Sequence, residues 1–349
     1  MDDLKSQLIQ AIETLDDTLS SWLQQRELQN DRRAKAFGII SETVGESIDR
    51  RLQLLRKLAD TEFVGMPLKD RSNAHFWPTL WDLWLPLALQ LAEERRQLDR
   101  PFVQGILGGQ GTGKTTLAAA LTRILNRLGF TVVSVSIDDL YKTHEERQQL
   151  KREDPRFVRR GPPGTHDIAL GLEVLDRLRQ SQTPLEIPRF DKSAYGGDGD
   201  RSTPEVVEKA DIVLFEGWFV GARPVDEAAF DNPPPPIATS EDQNFACHCN
   251  RLLRDYLPLW ERLDRLMVLY PVDYHLSQQW RLQAEHDAIA QGKDGMSDAE
   301  IFEFVEYFWK ALHPQLFVDP LFHDRSRAQL VVKIEADRSI GEISGSVET

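Results

Sequence analysis

Cysteine is scarce in this chain. Only Cys247 and Cys249 occur among 349 residues, and a pair separated by one residue cannot staple a domain of this size, which excludes a disulfide-built scaffold and points to a reducing compartment. Long apolar runs are missing as well. The most apolar stretch, residues 76–92, is broken by Pro78, Asp82 and Pro86 and falls short of the roughly 20 apolar residues that span a bilayer. It reads as a buried or capping helix. The opening Met1-Asp2-Asp3-Leu4-Lys5 has neither the basic-then-apolar layout of a secretory signal nor the Arg-rich layout of a transit peptide, so a cytoplasmic protein is expected. An excess of positive charge is the third absence: 42 Lys and Arg face 56 Asp and Glu, a net charge of −14. That balance repels phosphate backbones and argues against a nucleic acid or an anionic membrane as the main partner. Any small anionic substrate must then meet a locally basic site. What is present, 41% hydrophobic and 28% charged residues, is ordinary for a folded soluble protein.

The periodicity changes near Arg100. Up to about residue 98 the apolar residues recur at helical spacing, as in Leu52, Leu54, Leu55 and Leu58, which predicts a helical N-terminal extension over residues 1–99. Trp77, Trp81 and Trp84 in this part have the placement of packing residues. Beyond Pro101, short apolar runs at 102–107, 131–137, 212–215, 265–270 and 330–334 alternate with helical stretches. Such alternation predicts an α/β unit over residues 100–349, a parallel sheet flanked by crossover helices. Residues 231–242, with four consecutive prolines from Pro233 to Pro236, read as an exposed insertion.

The first apolar run ends in Gly108-Gly109-Gln110-Gly111-Thr112-Gly113-Lys114-Thr115-Thr116 and is followed by a helical stretch closed by Gly129. This is G-x-x-x-x-G-K-[ST] in its required strand-to-helix context. Glycines let backbone N–H groups converge on phosphate oxygens, Lys114 reaches the β and γ phosphates, and the Thr115 hydroxyl ligates magnesium. No N-K-x-D tetrapeptide for guanine occurs, so ATP is the expected nucleotide.

The acceptor side is read from strand ends. Ser136-Ile137-Asp138-Asp139-Leu140-Tyr141 closes the second apolar run, and the carboxyl ends of neighbouring parallel strands face one crevice. Asp138 or Asp139 can therefore orient an acceptor hydroxyl, and one of the pair can instead cap the helix that follows. Glu216 ends the third run, the place of a carboxylate that serves magnesium. Arg159 to Asp167, including Arg160 and His166, precedes a helix that Thr165 or Asp167 can cap. Residues 188–201 form a glycine-rich loop carrying Arg189, Lys192 and Arg201. Cations gathered on loops beside a phosphate-transfer crevice suit a small anionic acceptor.

Taken in order, these motifs, together with Arg160-Gly161-Pro162-Pro163-Gly164-Thr165-His166-Asp167, Pro188-Arg189-Phe190-Asp191-Lys192 and Phe215-Glu216-Gly217-Trp218, resemble the plant-type D-glycerate 3-kinases. That family stands with phosphoribulokinase, uridine kinase and pantothenate kinase among the P-loop kinases. Trp280-Arg281-Leu282-Gln283-Ala284-Glu285 is similar to the family's lid segment, about residues 274–295. The resemblance covers about residues 100–335 and implies transfer of the γ-phosphoryl group of ATP, with Mg2+, to the 3-hydroxyl of D-glycerate. By the same resemblance Asp138 orients that hydroxyl, Glu216 serves magnesium and Arg281 stabilises the migrating group. Arg160, His166, Asp167, Arg189, Lys192 and Arg201 are acceptor-binding candidates. Leu140 departs from the family's usual aromatic, a change of packing only. Cys247-His248-Cys249 is a poor zinc set without further ligands. Two alternatives stand: a kinase for another hydroxylated acceptor such as uridine, pantothenate or a sugar phosphate, and an ATP-responsive regulatory protein.

Overall fold

The computed structural model describes residues 2–13, 17–59, 75–292 and 295–345. Parts of the expected extension (residues 1, 14–16 and 60–74), of the lid segment (293–294) and of the C-terminal end (346–349) lie outside the described residues. The chain opens with α1 (Asp2–Glu13), α2 (Asp17–Gln29), α3 (Asp31–Ala36) and α4 (Val44–Ala59). The apolar stretch read from the sequence forms α5 (Phe76–Thr79), one π-helical turn (Leu80–Trp84) and α6 (Leu85–Arg96). Then come β1 (Phe102–Gly108), α7 (Lys114–Arg127), β2 (Val132–Ser136), α8 (His144–Glu153), α9 (Ile168–Arg179), β3 (Leu185–Asp191), β4 (Asp200–Val207) and β5 (Ile212–Gly217). The remainder is α10 (Ser240–Leu252), α11 (Leu257–Trp260), β6 (Arg265–Pro271), α12 (Leu276–Ala290), α13 (Asp298–Ala311), α14 (Pro314–Phe317), α15 (Asp319–His323), β7 (Leu330–Ile334) and β8 (Ile340–Gly345).

The main sheet runs β2-β5-β1-β6-β7-β8. Its first five strands are parallel, and β8 pairs antiparallel with β7. The five apolar runs are thus the five parallel strands of a P-loop kinase-type sheet flanked by helices. Side chains alternate along each strand. Ile212 and Leu214 face one core and Val213 and Phe215 the other, and Ile106 and Leu107 divide in the same way. The first core is shared with the N-terminal helices, since Trp77, Trp81 and Trp84 pack in the same cluster as α7 and β1. No helix among the described residues is long and apolar enough to cross a membrane.

Two expectations are corrected. The stretch 188–201 is not simply a loop: β3 and β4 pair antiparallel as a separate ribbon, and only residues 192–199 form its tip. The glycines at the tip hid the strands that flank it. The proline insertion is also shorter than expected, because Thr239 caps α10 from Ser240 onward by accepting from Asp242 N.

A buried ionic cluster ties the N-terminal helices together. Glu27, fully buried, accepts hydrogen bonds from Arg51 at 2.8 Å and Arg33 at 3.3 Å. Arg33 and Arg26 both reach Asp82 in the π-helical turn, at 2.9 and 2.7 Å. Burial works against the Glu27 carboxylate, and the charges of Arg51 and Arg33 outweigh it, holding the group below its ordinary range. Removing one partner of such a cluster strands the other charges in the core. Glu27→Ala is expected to cost about 3–5 kcal/mol of stability, measured as a lowered urea midpoint. An unchanged midpoint would mean that the cluster is not what joins these helices.

Candidate active site

The parallel register brings three strand ends to one crevice. Ser136 pairs with Glu216 across β2 and β5, and Ile106 pairs with Glu216 across β1 and β5, so Glu216 sits between the segment ending in Asp138 and the turn at Gly108. That turn wraps onto the N-terminus of α7. Gly111 (φ +77°) and Gly113 (φ +89°) adopt left-handed backbone that L side chains rarely take, while Thr112 Oγ1 and Lys114 Nζ both donate to Gly109 O, at 2.9 and 3.0 Å. Thr115 is exposed and Thr116 half-buried on the first turn of α7. Burial lowers the Lys114 ammonium's pKa, and the carboxylates of Glu216 and Asp138 partly restore it. Glu216 Oε2 and Gln110 Oε1 are buried and have no partner among the described residues.

The pair at the end of β2 is divided between two tasks. Asp139 forms a capping box with Ser136, accepting from Ser136 N at 3.0 Å, and pairs with Arg189 at 2.9 Å. The following helix α8 has its own cap, Thr143 with Glu146, so neither aspartate serves it. Asp138 instead faces the crevice, where Lys192 Nζ donates to Oδ2 at 2.6 Å and Tyr141 Oη donates to Oδ1 at 2.8 Å. Burial favours its neutral form, but the Lys192 ammonium and the hydrogen bonds from Lys192 and Tyr141 prevail and keep the carboxyl below its usual range.

The remaining candidates are placed unevenly. Arg189 has all three guanidinium nitrogens engaged, by Asp139, Glu205 and the carbonyls of Pro188 and Ser134; it braces the ribbon on β2 and offers an acceptor no free nitrogen. Arg201 pairs with Asp167 at 2.7 Å and bonds Tyr141 O, and Asp167 also caps α9 through Leu170 N. Arg160 donates to Gly197 O and Asp198 O at the ribbon tip and lies over the rings of Tyr141 and Phe190. His166 is buried, its ring stacked on Tyr141 at 4.6 Å. Arg281 is held on α12 by Glu285 at 2.7 Å and lies over Phe304. Its neighbour Trp280 is the residue that packs against the phosphate loop at Gly111. A small apolar cavity of about 60 Å3 adjoins Gly109 and Gln110, walled by Trp218, Phe219, Phe308 and Trp309 among others.

Three contributors were not singled out from the sequence. Tyr141 stood in a quoted motif, and its position three residues after Asp138, across one helical turn, is a readable signal for its hydroxyl bond. Trp280 stood in the lid motif, but its packing on Gly111 had no local signal, and neither had Tyr256 at His166.

Residues 103–227 match the Phosphoribulokinase / Uridine kinase family. The chain is 32% identical over 326 residues to the chloroplastic D-glycerate 3-kinase of Arabidopsis thaliana, covering 87% of this chain and 69% of that one. It is 37% identical over 227 residues to an uncharacterized kinase of Schizosaccharomyces pombe, covering 62% and 82%. The chain belongs to the phosphoribulokinase/uridine kinase family. Among solved structures, a D-glycerate 3-kinase from Cryptococcus neoformans superposes with a TM-score of 0.65 at 27% identity, over 74% of this kinase and 96% of the other.

The glycines of the phosphate loop are not equivalent in this kinase. A Cβ on Gly111 would stand 2.5 Å from Trp280 Cβ, whereas one on Gly113 would meet nothing within 4 Å. Gly111→Ala is therefore expected to raise the KM for ATP about tenfold or more, beyond the effect of Gly113→Ala, where only backbone strain of about 1–3 kcal/mol applies. ATP-dependence of initial rates reads the difference, and equal effects would contradict the packing of Trp280 on the loop.

Proposed function

We propose that this ATP-dependent kinase is a D-glycerate 3-kinase, passing the γ-phosphoryl group of ATP to the 3-hydroxyl of D-glycerate. The observation that carries the reading is the meeting of an ionised, inward-facing Asp138 and the Lys192 ammonium beside a phosphate loop, one group for a hydroxyl and one for a carboxylate.

The chemistry follows from positioning more than from basicity, because the transition state of phosphoryl transfer is loose. Backbone N–H groups of Gly108 to Thr116 and the Lys114 ammonium cradle the β and γ phosphates, and the left-handed glycines let the backbone approach them. A magnesium ion fits beside them: the buried Glu216 Oε2, without a partner among the described residues, and the Thr115 hydroxyl would hold it directly or through its waters, and such an ion usually takes one or two protein ligands beside the phosphates. When bound, magnesium neutralises charge on the β and γ oxygens. Asp138 accepts a hydrogen bond from the 3-hydroxyl and takes its proton as the new bond forms. Lys192, exposed and already at Asp138, pairs with the acceptor carboxylate, while Arg160 holds the ribbon tip over the site. Arg281 on the lid helix turns from Glu285 toward the migrating phosphoryl group. His166 supplies a hydrogen bond to the acceptor, and Asp167, Arg189 and Arg201 keep the surrounding loops in place. The reading includes a cytoplasmic location, in keeping with the free thiols of Cys247 and Cys249.

ADP release measured across an acceptor panel tests this reading. D-glycerate is expected to stimulate it strongly, and pantothenate, uridine and sugar phosphates weakly or not at all; stimulation by one of those instead overturns the assignment. Asp138→Asn is expected to lower kcat by about 10²–10⁴-fold with ATP affinity retained. An ATP-responsive binding protein would show neither effect.

A further inference from the structure

The hydroxyl of Tyr256 is a point where hydrogen-bond bookkeeping has one consistent solution. Tyr256 is 1% exposed, so its phenol has no solvent to turn toward. Its oxygen accepts from Gly164 N at 3.0 Å and lies 2.7 Å from His166 Nδ1. The backbone N–H of His166 also points to this oxygen, so its backbone neighbours are both donors and Nδ1 is the one partner that can accept. Two arrangements are open. If Nδ1 carries the proton and donates to the phenol, the phenolic proton has nowhere to go and Nε2 is a second unpaired atom. If the phenol donates to Nδ1, every group at this point is satisfied and the imidazole proton resides on Nε2. A buried unpaired polar group costs about 1–3 kcal/mol, so the second arrangement wins.

The price is a single unpaired N–H. His166 is 2% exposed, and its Nε2 is buried without a partner among the described residues. The ring cannot swing away. His166 is bridged to Tyr141 by the backbone, with Lys142 N bonded to Thr165 O and Asp167 N to Leu140 O. Its faces are packed by Tyr141 and Phe219. Burial drives its pKa down to about 3, against the pull of Asp138 and with Lys142 adding to the shift, so the ring stays neutral at ordinary pH. Tyr141, stacked on it, is tied through its hydroxyl to Asp138, the group that an acceptor hydroxyl engages.

We propose that Tyr256 is a positioning residue of the acceptor site: it fixes His166 as the neutral Nε2–H tautomer, whose one free proton is donated to an oxygen of the bound acceptor. The acceptor reaches Nε2 as its hydroxyl takes the place of Tyr141 on Asp138 and frees the ring that is stacked on His166 to move aside. The inference rests on the acceptor-site reading given above, and it adds that the site recognises a hydrogen-bond-accepting oxygen by an uncharged donor as well as by a cation.

The tautomer is read directly by nitrogen NMR of the full-length protein labelled at histidine, with His166→Gln assigning the signal. The expected result is an unprotonated Nδ1 and a protonated Nε2, constant over about pH 6–8; a protonated Nδ1 overturns the proposal without any variant having to fold. Tyr256→Phe keeps the ring and removes the hydroxyl, and is expected to raise the acceptor KM about five- to tenfold with kcat and the ATP KM nearly unchanged. In a His166→Gln background, where the side-chain amide preserves a donor and no tautomer exists, the same substitution should change the acceptor KM less than about twofold. Equal effects in both backgrounds would make Tyr256 merely structural and sink the idea. Failure of D-glycerate to be turned over by the unaltered enzyme is a separate result. It overturns the functional reading, and the KM comparison then uses whichever acceptor is turned over.

Discussion

A partly buried lysine, its ammonium desolvated, constrains everything around it. Lys114 starts α7 at the end of a glycine-rich turn, and an isolated charge in such a place is costly. The fold answers with geometry. Parallel pairing of β2, β5 and β1 delivers Asp138 and Glu216 close enough for their charges to support Lys114, and Gly109 O accepts a hydrogen bond from its Nζ at 3.0 Å. The same convergence brings a cation and two carboxylates to one crevice beside the glycine-rich turn, an arrangement suited to phosphoryl transfer from a nucleotide. Neither the loop nor the carboxylates would suffice alone.

Around that centre the chain spends most of its loop cations on architecture. Arg189 and Arg201 look alike in the sequence to Lys192, yet each is bound into a pairing that fixes the ribbon or the start of α9. Lys192 is the exposed member, and it stands on Asp138. An overall charge of −14 is compatible with a small anionic acceptor for this reason: the positive charge beside Asp138 is local and arranged by hydrogen bonds. The N-terminal helices join this design through packing, since they share a core with the strand that leads into the phosphate loop.

The legible parts of the structure were those whose signals are local. Five short apolar runs became five parallel strands, and the phosphate loop was readable because its glycines, lysine and threonine occupy consecutive positions. The residues alone left Asp138 and Asp139 open, and only the family resemblance chose Asp138, since the pairing that occupies Asp139 depends on Arg189 arriving from a ribbon 50 residues away. That ribbon was itself concealed by the glycines of its tip. Tyr256 lay beyond reach for the same reason: its partner His166 is 90 residues distant, and nothing in the residues beside it announces a hydrogen bond. Trp280 was noticed within a lid motif, but its contact with Gly111 depends on how α12 crosses the phosphate loop.

The central claim is that Asp138 and Lys192 together direct the γ-phosphoryl group to one hydroxyl of a three-carbon acid. Phosphorus NMR of the product formed from ATP and D-glycerate tests it most directly, because the two possible phosphomonoesters couple to different protons. The account predicts a phosphate on the terminal 3-hydroxyl, with ADP released in equal amount. Phosphate on the 2-hydroxyl, or ADP released without any phosphorylated glycerate, would contradict it.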